Sequence, residues 1–542
     1  MNLNADIIFH NGPVLTVDKD NSIKESLAVK GNKILFVGTK NEALSYADGK
    51  TLMVDLKGRS LIPGFIDSHL HTAVLGTNSL AIDCRSPQVD SIEDIKKLIA
   101  NAVKVIPKGQ WIRGWGYDQS KLKEKRHPSR WDLDEVAPNH PVILTRVCAH
   151  ASVHNTKSLQ LIGITDDSQP VPGGVLVKEK GKVTGLVKEN SHMAAMRVSQ
   201  FSTQELIHAM GVANDILIKE GITSVHDSGG YGYVQMGAIQ EAVKQEKLKI
   251  RLYSMIFSFV DNLQFVKDYI HIGLHTGFGN DRFKIGPAKL MIDGSSSGPT
   301  AATLKPYESN PNDSGVLSMN QEEVNDIILS AHLAGYQVTT HAVGDRAITV
   351  IVNAIENALK IAPRENHRHR IEHCAMINDE LIDRIQNLGI IPIAQPIFLY
   401  EFGDGYMVNY GQERAYKMFT CKSFLEKGIP VAGSSDNPIT FSNPILNIHL
   451  AVNRITQLGQ TINPDERISI TDALRMFTIN GAYASFDENK KGSLEVGKLA
   501  DLVVLSDSLL DVPSSKIKDI TVDMTYIDGE LVYTAASEHS TR

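Results

Sequence analysis

The sequence predicts an α/β protein, a (β/α)₈ TIM-like barrel with a small β-sandwich domain formed from both termini and a large insertion after barrel strand 1. Three observations support this fold. Through the middle of the chain, eight short apolar runs of β type alternate with amphipathic helical segments. Both ends of the chain consist of short β meanders. The connection from about His71 to Gly221 is much longer than a barrel crossover requires.

The β-sandwich is predicted from two separate segments, residues 1–62 and 486–542. Runs rich in Val, Ile and Leu occur at both ends and are separated by Gly, Asn and Asp turn residues, as in ADIIFHNGPVLTVD and ITVDMTYIDGELVY. Neither end has enough strands to close a core alone. We therefore expect the two ends to share one small domain.

The barrel is predicted over residues 63–485. Its strand candidates share an apolar, β-branched composition, and most have a helical segment beside them. In chain order they are LIPGFIDSH, GITSVHD, IRLYSMIFS, FKIGPAKLMID, YQVTTHAV, HRIEHC, IIPIAQP and IPVAGSSD.

The long connection after the first strand is predicted to form an insertion or lid subdomain over about residues 77–200. Chain that leaves the carboxyl end of a barrel strand emerges on the face where active sites collect. Trp115 and His150 in this insertion are therefore candidates for substrate contacts. The alternative is that the aromatic residues form the core of the subdomain.

Composition and charge exclude several classes of protein. The chain has 542 residues, 42% of them hydrophobic and 22% charged, as in ordinary globular proteins. A net charge of -7 without a basic block makes nucleic acid a poor partner. The N-terminus lacks the basic start and apolar run of a signal peptide, and no apolar stretch approaches the ~18 residues of a membrane span. We expect a cytoplasmic protein without a membrane partner, and a homodimer stays open.

The strongest local signal for chemistry is His69-Leu70-His71, at the end of the first predicted strand. Residues two apart on a strand point to the same side, so both imidazoles can meet one ion at the mouth of the barrel. An HxH triplet also occurs by chance. Its position at the end of a barrel strand favours a metal site. The four cysteines contain no CxxC pair, which argues against a thiolate zinc site.

Further candidate ligands lie at the ends of later strands. His341, His373 and Asp436 end the fifth, sixth and eighth strand candidates. Any one of them could be a hydrogen-bonded group of the barrel wall. Three metal-compatible side chains at strand ends, where catalytic groups of this fold collect, favour ligation.

The fourth strand offers a lysine and a second carboxylate. Lys289, Met291 and Asp293 alternate along it and share one face, so Lys289 can point into the barrel. Asp293 is a candidate substrate contact and a weaker candidate for proton transfer. The alternative for Lys289 is an ion pair with Asp436 or another carboxylate.

The series FIDSHLHT, KLMIDGS, THAVGDRA, RIEHC and SSDNP resembles the amidohydrolase superfamily, and within it amidohydrolase family 3, the YtcJ-like group that includes N-substituted formamide deformylases. The resemblance covers nearly the whole chain. It implies that His69, His71 and Asp436 bind the more buried metal and that His341 and His373 bind a second. It also implies that Lys289 occupies the position of a carboxylated lysine that bridges two metals.

The expected function is that of a metal-dependent amidohydrolase, which breaks a carbon–nitrogen, amide-type bond of a small molecule through a metal-bound hydroxide. Asp436 is the expected proton shuttle between the water and the departing nitrogen. Zn²⁺ suits these ligands, one or two ions being expected, although other divalent metals stay open. The same scaffold could instead act as an esterase, a heterocycle deaminase or an isomerase, or serve as a non-catalytic binding protein.

Overall fold

The computed structural model describes residues 4–146 and 151–535. The chain divides into two compact units. One contains the segment up to Ala73 and the segment from Met210 onward, and the other is Val74–Ala209. The first unit contains the barrel and the β domain.

The N-terminal segment forms short strands and one helix. They are β1 (Ile7–His10), β2 (Val14–Leu15), β3 (Ile23–Lys24), β4 (Ser26–Lys30), β5 (Lys33–Gly38), α1 (Lys40–Leu44), β6 (Leu52–Asp55) and β7 (Leu61–Pro63). Helix α1 begins at a capping box in which Thr39 and Glu42 satisfy each other's backbone N–H groups.

The first barrel strand, β8 (Phe65–Leu70), is followed by the elements of the Val74–Ala209 unit. The first of them, α2, begins two residues before this unit. These elements are α2 (Thr72–Leu80), β9 (Ile82–Asp83), α3 (Ile92–Val103), β10 (Ile112–Tyr117), α4 (Arg130–Val136), β11 (Val142–Arg146), β12 (Ala151–His154), α5 (Thr156–Leu161), β13 (Gly174–Glu179), β14 (Lys182–Glu189) and α6 (Asn190–Val198). The strands form one sheet in the order β13-β14-β12-β11-β10-β9. Its core contains apolar side chains of α3, β10 and β11, including Ile95, Ile99, Ile112 and Leu144.

The remaining barrel elements alternate between strands and helices up to β20, and additional helices precede and follow β21. They are α7 (Thr203–Lys219), β15 (Ile222–Asp227), α8 (Gly232–Lys244), β16 (Arg251–Ile256), α9 (Asn262–His271), β17 (Phe283–Met291), α10 (Gln321–Leu333), β18 (Val338–Ala342), α11 (Asp345–Ile361), β19 (Arg370–His373), α12 (Asp379–Leu388), β20 (Ile391–Ala394), α13 (Pro396–Tyr416), α14 (Cys421–Glu426), β21 (Ala432–Gly433), α15 (Pro444–Asn453), α16 (Ile470–Met476) and α17 (Ile479–Ala484).

The eight barrel strands are all parallel and follow the order β8-β15-β16-β17-β18-β19-β20-β21. Each coincides with one of the eight runs predicted from the sequence, so the predicted barrel is confirmed. The first and last strands meet through the backbone, because the Asp436 N–H donates to the His69 carbonyl at 2.8 Å and the His71 N–H donates to the Asn437 carbonyl at 2.9 Å. The backbone of the predicted ligands His69, His71 and Asp436 therefore helps to close the ring.

Helix α12 illustrates how the local sequence sets the ends of a barrel helix. Helix α12 begins at Asn378, whose side chain accepts the Leu381 N–H, and ends at Gly389 with φ 64°. Its buried residues Leu381, Ile382 and Ile385 lie on one stripe. That stripe fixes which side of the helix packs inward.

The C-terminal strands complete the β domain. They are β22 (Leu502–Leu505), β23 (Val522–Ile527) and β24 (Glu530–Thr534). Strand β22 pairs with β7, so one sheet has the order β24-β23-β22-β7-β2-β3 and the other has the order β5-β4-β1-β6. Side chains from both sheets, such as Phe9, Leu27, Leu502 and Tyr526, share one core. The predicted sandwich from both termini is confirmed.

Within the two described segments of the chain, no helix has the length and apolar character that crossing a bilayer would demand.

Candidate metal centre

Three predicted ligands meet at the carboxyl ends of the first and last barrel strands. One ligand atom each from His69, His71 and Asp436 lies within 4.8 Å of the others, and all three residues are buried. The Asp436 Oδ1 atom is 3.3 Å from His69 Nε2 and 3.6 Å from His71 Nε2. These distances leave room for one ion among the three atoms.

The tautomers of the two histidines follow from their other ring nitrogens. The Nδ1–H of His71 donates to the Gly229 carbonyl at 2.8 Å, and the Nδ1–H of His69 donates to the Glu372 carboxylate. Both Nε2 atoms therefore carry lone pairs. Two nitrogen lone pairs and a carboxylate oxygen converge on one buried point, an arrangement that suits a cation between them. The residues present thus fit a divalent metal.

The backbone holds Asp436 in an unusual conformation. Asp436 has φ 58° and His373 has φ 70°, a left-handed region that residues with a side chain seldom adopt. Asp436 keeps it although the backbone conformation costs about 1–3 kcal/mol. Such strained residues cluster at functional sites because the conformation aims a side chain that relaxed backbone would not.

His341 and His373 lie beside this cluster. Their ring centroids are 4.4 Å apart, and the His373 ring is 5.0 Å from that of His69. His373 Nδ1 hydrogen-bonds the Gln395 side-chain oxygen at 3.0 Å, which leaves its Nε2 free to bind a metal. His341 Nε2 is 3.1 Å from the Gly294 carbonyl, so its Nδ1 is the atom available as a ligand.

Lys289 points into the same interior, as the strand alternation predicts. Its Nζ atom is 3.4 Å from His69 Nε2 and 4.6 Å from the centre of the Phe257 ring. Burial lowers the pKa of Lys289, although Glu372 and Asp436 favour the charged form. Burial also raises the pKa of Asp436, against the opposing charge of Lys289. A neutral amine is therefore accessible at this lysine.

Asp293 holds the loops around His341. Its carboxylate accepts the N–H groups of Ala302, Val343 and Gly344 at 2.9–3.1 Å and lies 3.6 Å from His341 Nε2. Burial raises the pKa of Asp293 to about 7, against these three hydrogen bonds. The predicted substrate contact through Asp293 stays a prediction.

Of the two candidates in the insertion, the structure describes only Trp115. Trp115 is in strand β10, with the Arg85 guanidinium 5.0 Å from its ring centre. His150 lies outside the described residues. Their role in substrate binding stays a prediction.

The sequence analysis did not predict three residues that support the metal ligands through hydrogen bonds. Asp67, two residues before His69, accepts hydrogen bonds from Ser435 and from the His69 N–H, and burial raises the pKa of Asp67 to about 7. Gln395 orients His373, and Glu372 orients His69. The available signal was a polar residue at or near the end of an apolar strand, because Asp67, Glu372 and Gln395 all occupy such positions.

The fold is a parallel barrel with a buried cluster of imidazole and carboxylate groups at the carboxyl ends of its strands. This combination is typical of metal-dependent barrel enzymes. A model of the amidohydrolase family matches residues 52–533, and the chain belongs to this family of hydrolases.

Individual relatives and solved structures agree with this assignment. The chain is 28% identical to an N-substituted formamide deformylase of Arthrobacter pascens, over 97% of this chain and 98% of that protein. It is also 28% identical to the putative amidohydrolase YtcJ of Bacillus subtilis, over 97% and 99% of the two chains. The crystal structure of an uncharacterized metal-dependent hydrolase from Pyrococcus furiosus matches with a TM-score of 0.78 and 28% identity, over 94% of this chain and 100% of that one.

Proposed function

We propose that this protein is a metal-dependent amidohydrolase that hydrolyses a carbon–nitrogen, amide-type bond of a small molecule. The observation that carries the proposal is the buried meeting of His69 Nε2, His71 Nε2 and an Asp436 carboxylate oxygen at the carboxyl end of a barrel. N-substituted formamides are the first substrates to test, because a relative that matches nearly the whole chain bears the name of a deformylase for them.

His69, His71 and Asp436 would hold one divalent ion, with Zn²⁺ the first candidate for imidazole and carboxylate ligands. His341 and His373 would hold a second ion beside it. A divalent ion supplies two effects when bound, activation of a water molecule and polarisation of the bond under attack.

Lys289 would complete the binuclear centre as a carbamate. A lysine ammonium beside two dications would be repelled by roughly 4 kcal/mol per unit-charge pair at 4 Å and an effective dielectric of 20. After losing a proton, the Lys289 amine can attack CO₂. A nitrogen–carbon bond forms and a second proton is released to water. The product is an anion suited to bridge two cations.

Asp436 would transfer the proton. Its buried carboxylate can accept a proton from the attacking water at one oxygen and donate it to the departing nitrogen, because burial stabilises the protonated form. Glu372 is held by Arg370 and Asp67 by Ser435, so neither is free for this step.

The test is a substrate screen with matched preparations. Purified protein, protein stripped with a chelator and stripped protein reloaded with Zn²⁺, Mn²⁺ or Co²⁺ would each be offered N-substituted formamides, other amides, esters and aminopurines. We expect amine release from an amide substrate that disappears on stripping and returns on reloading. Full activity in protein that elemental analysis shows to be metal-free would overturn the metal requirement. Turnover confined to esters or aminopurines would overturn the amide assignment.

A further inference from the structure

One carboxylate in the barrel interior is not among the metal ligands and yet contacts one of them. Glu372, in β19, is fully buried, and among the residues that the structure describes every hydrogen-bond partner of its carboxylate is a donor. Arg370 Nε donates to Oε1 at 2.7 Å and Arg370 Nη2 donates to Oε2 at 3.1 Å, while Thr339 Oγ1 donates to Oε1 at 2.5 Å. The fourth donor is His69 Nδ1, bonded to Oε2. The set of donors matches an ionised carboxylate, which only accepts.

The arginine that holds Glu372 is itself fixed. Arg370 is fully buried, its Nη1 group bonds His226 Nδ1 at 2.8 Å, and its Nη2 group donates to the Ser68 carbonyl at 2.5 Å. Bonds from three sides leave the guanidinium a single position. The carboxylate of Glu372 therefore meets His69 from a rigid support.

The bond to Glu372 determines the state of the other ring nitrogen of His69, Nε2. With its proton held on Nδ1 by Glu372, the lone pair on Nε2 faces Asp436 Oδ1 at 3.3 Å and Lys289 Nζ at 3.4 Å. The Nδ1 proton of His71 is held by a main-chain carbonyl, and that of His373 is held by the neutral side-chain amide of Gln395. Of these three histidines, His69 is the one whose ring is polarised by a full negative charge, so its Nε2 is the strongest donor to a cation.

We infer that Glu372 is a positioning residue for the metal centre, anchored by Arg370 and Thr339, and that it sets both the tautomer and the donor strength of His69. This inference rests on the proposed function, because it assigns Glu372 a role toward the ion that His69 would bind.

The test compares the binding of Zn²⁺ alone in purified, stripped protein carrying Glu372→Gln, Glu372→Asp or no substitution. In Glu372→Gln, the amide nitrogen must replace either Oε1, where it faces Arg370 Nε and Thr339, or Oε2, where it faces Arg370 Nη2 and His69. In the second case the His69 proton moves to Nε2 and removes the lone pair. We expect Zn²⁺ affinity, measured by competition with a chromophoric chelator, to fall about 10- to 100-fold. Glu372→Asp keeps the charge and should recover part of the loss.

The matched control is Glu488→Gln. Glu488 forms a comparable two-pronged pair with Arg368 at 2.7 and 2.8 Å, and its carboxylate bonds no histidine in the part of the chain that the structure describes. This variant should bind Zn²⁺ like the wild type. Co²⁺ loading adds a second readout, because the visible spectrum of Co²⁺ reports the ligand field and should change in Glu372→Gln but not in Glu488→Gln.

The outcomes separate the inference from the proposed function. Wild-type protein that binds neither Zn²⁺ nor Co²⁺ would overturn the proposed function. Wild-type protein that binds both, with Glu372→Gln identical to it in affinity and spectrum, would overturn the role of Glu372 alone. If Glu372→Gln does not fold, Thr339→Val decides, since it removes one anchoring donor and should weaken Zn²⁺ binding about twofold or more. Unchanged binding in that variant would also overturn the inference.

Discussion

Replacing Asp436 by Asn tests the proposed chemistry most directly. The two side chains have the same shape, so the barrel should fold, but the amide can neither accept the proton of the attacking water nor return it to the leaving nitrogen. A positioned general acid–base group contributes about 10²–10⁴-fold to rate. The structure favours the upper part of this range, because Asp436 is only 6% exposed and the neighbouring carboxylates Asp67 and Glu372 are engaged with other donors.

We therefore expect Asp436→Asn to lose about 10³–10⁴-fold in kcat, which corresponds to about 4–5.5 kcal/mol of transition-state stabilisation. The assay is steady-state hydrolysis of the best amide from the screen, with metal content measured on the same samples. Glu488→Gln is the control, because it replaces a half-buried, ion-paired carboxylate away from the metal centre. An Asp436→Asn protein with normal metal content and near wild-type kcat would show that another group moves the proton, with Asp293 the next candidate.

Three further predictions concern the bridge, the domain contact and the insertion. Lys289→Ala should lose one or both ions by elemental analysis, and added short carboxylic acids should restore part of the activity; full metal content without rescue would contradict the carbamate. Arg251→Met should lower stability by about 3–5 kcal/mol, because it leaves the buried Asp501 without its partner at 2.7 Å. The difference in Tm between Arg251→Met and the wild type should shrink below about pH 4. Arg251 holds the pKa of Asp501 below its ordinary value against the effect of burial, and the stabilisation from this pair disappears as the carboxylate is protonated. Trp115→Ala should change kcat/KM and substrate preference at constant metal content, whereas wild-type kinetics would make Trp115 purely structural.

Much of the barrel could be predicted because its strands are buried on both faces and therefore stand out as apolar runs. The eighth strand shows the limit of this approach. The run IPVAGSSD predicts a strand up to Asp436, but regular pairing ends at Gly433 and Asp436 itself takes a left-handed conformation. The Asp436 N–H bonds the His69 carbonyl of the first strand, a partner far away in the sequence that no local pattern reports.

The ligand set was more predictable than its supports. His69 and His71 share a triplet, and their spacing alone places both on one face of a strand. The partner of His69 is on the sixth strand, so no local pattern connects it to Glu372. Likewise, Gln395 orients His373 from the following strand. Hydrogen bonds of this kind depend on the packing of the closed barrel, which a sequence pattern does not report.

The closure of the ring through the backbone of His69 and Asp436 has a consequence for how the protein is made. The nascent chain produces the two histidines of the first strand early and Asp436 only after all eight barrel strands have been made. A chain that stops before the last strand has both histidines but lacks Asp436, and it has no closed ring to hold them. Acquisition of the ion should therefore coincide with completion of the barrel, and the loaded ion would then fasten the first strand to the last, so that loss of metal would loosen the fold at this seam first.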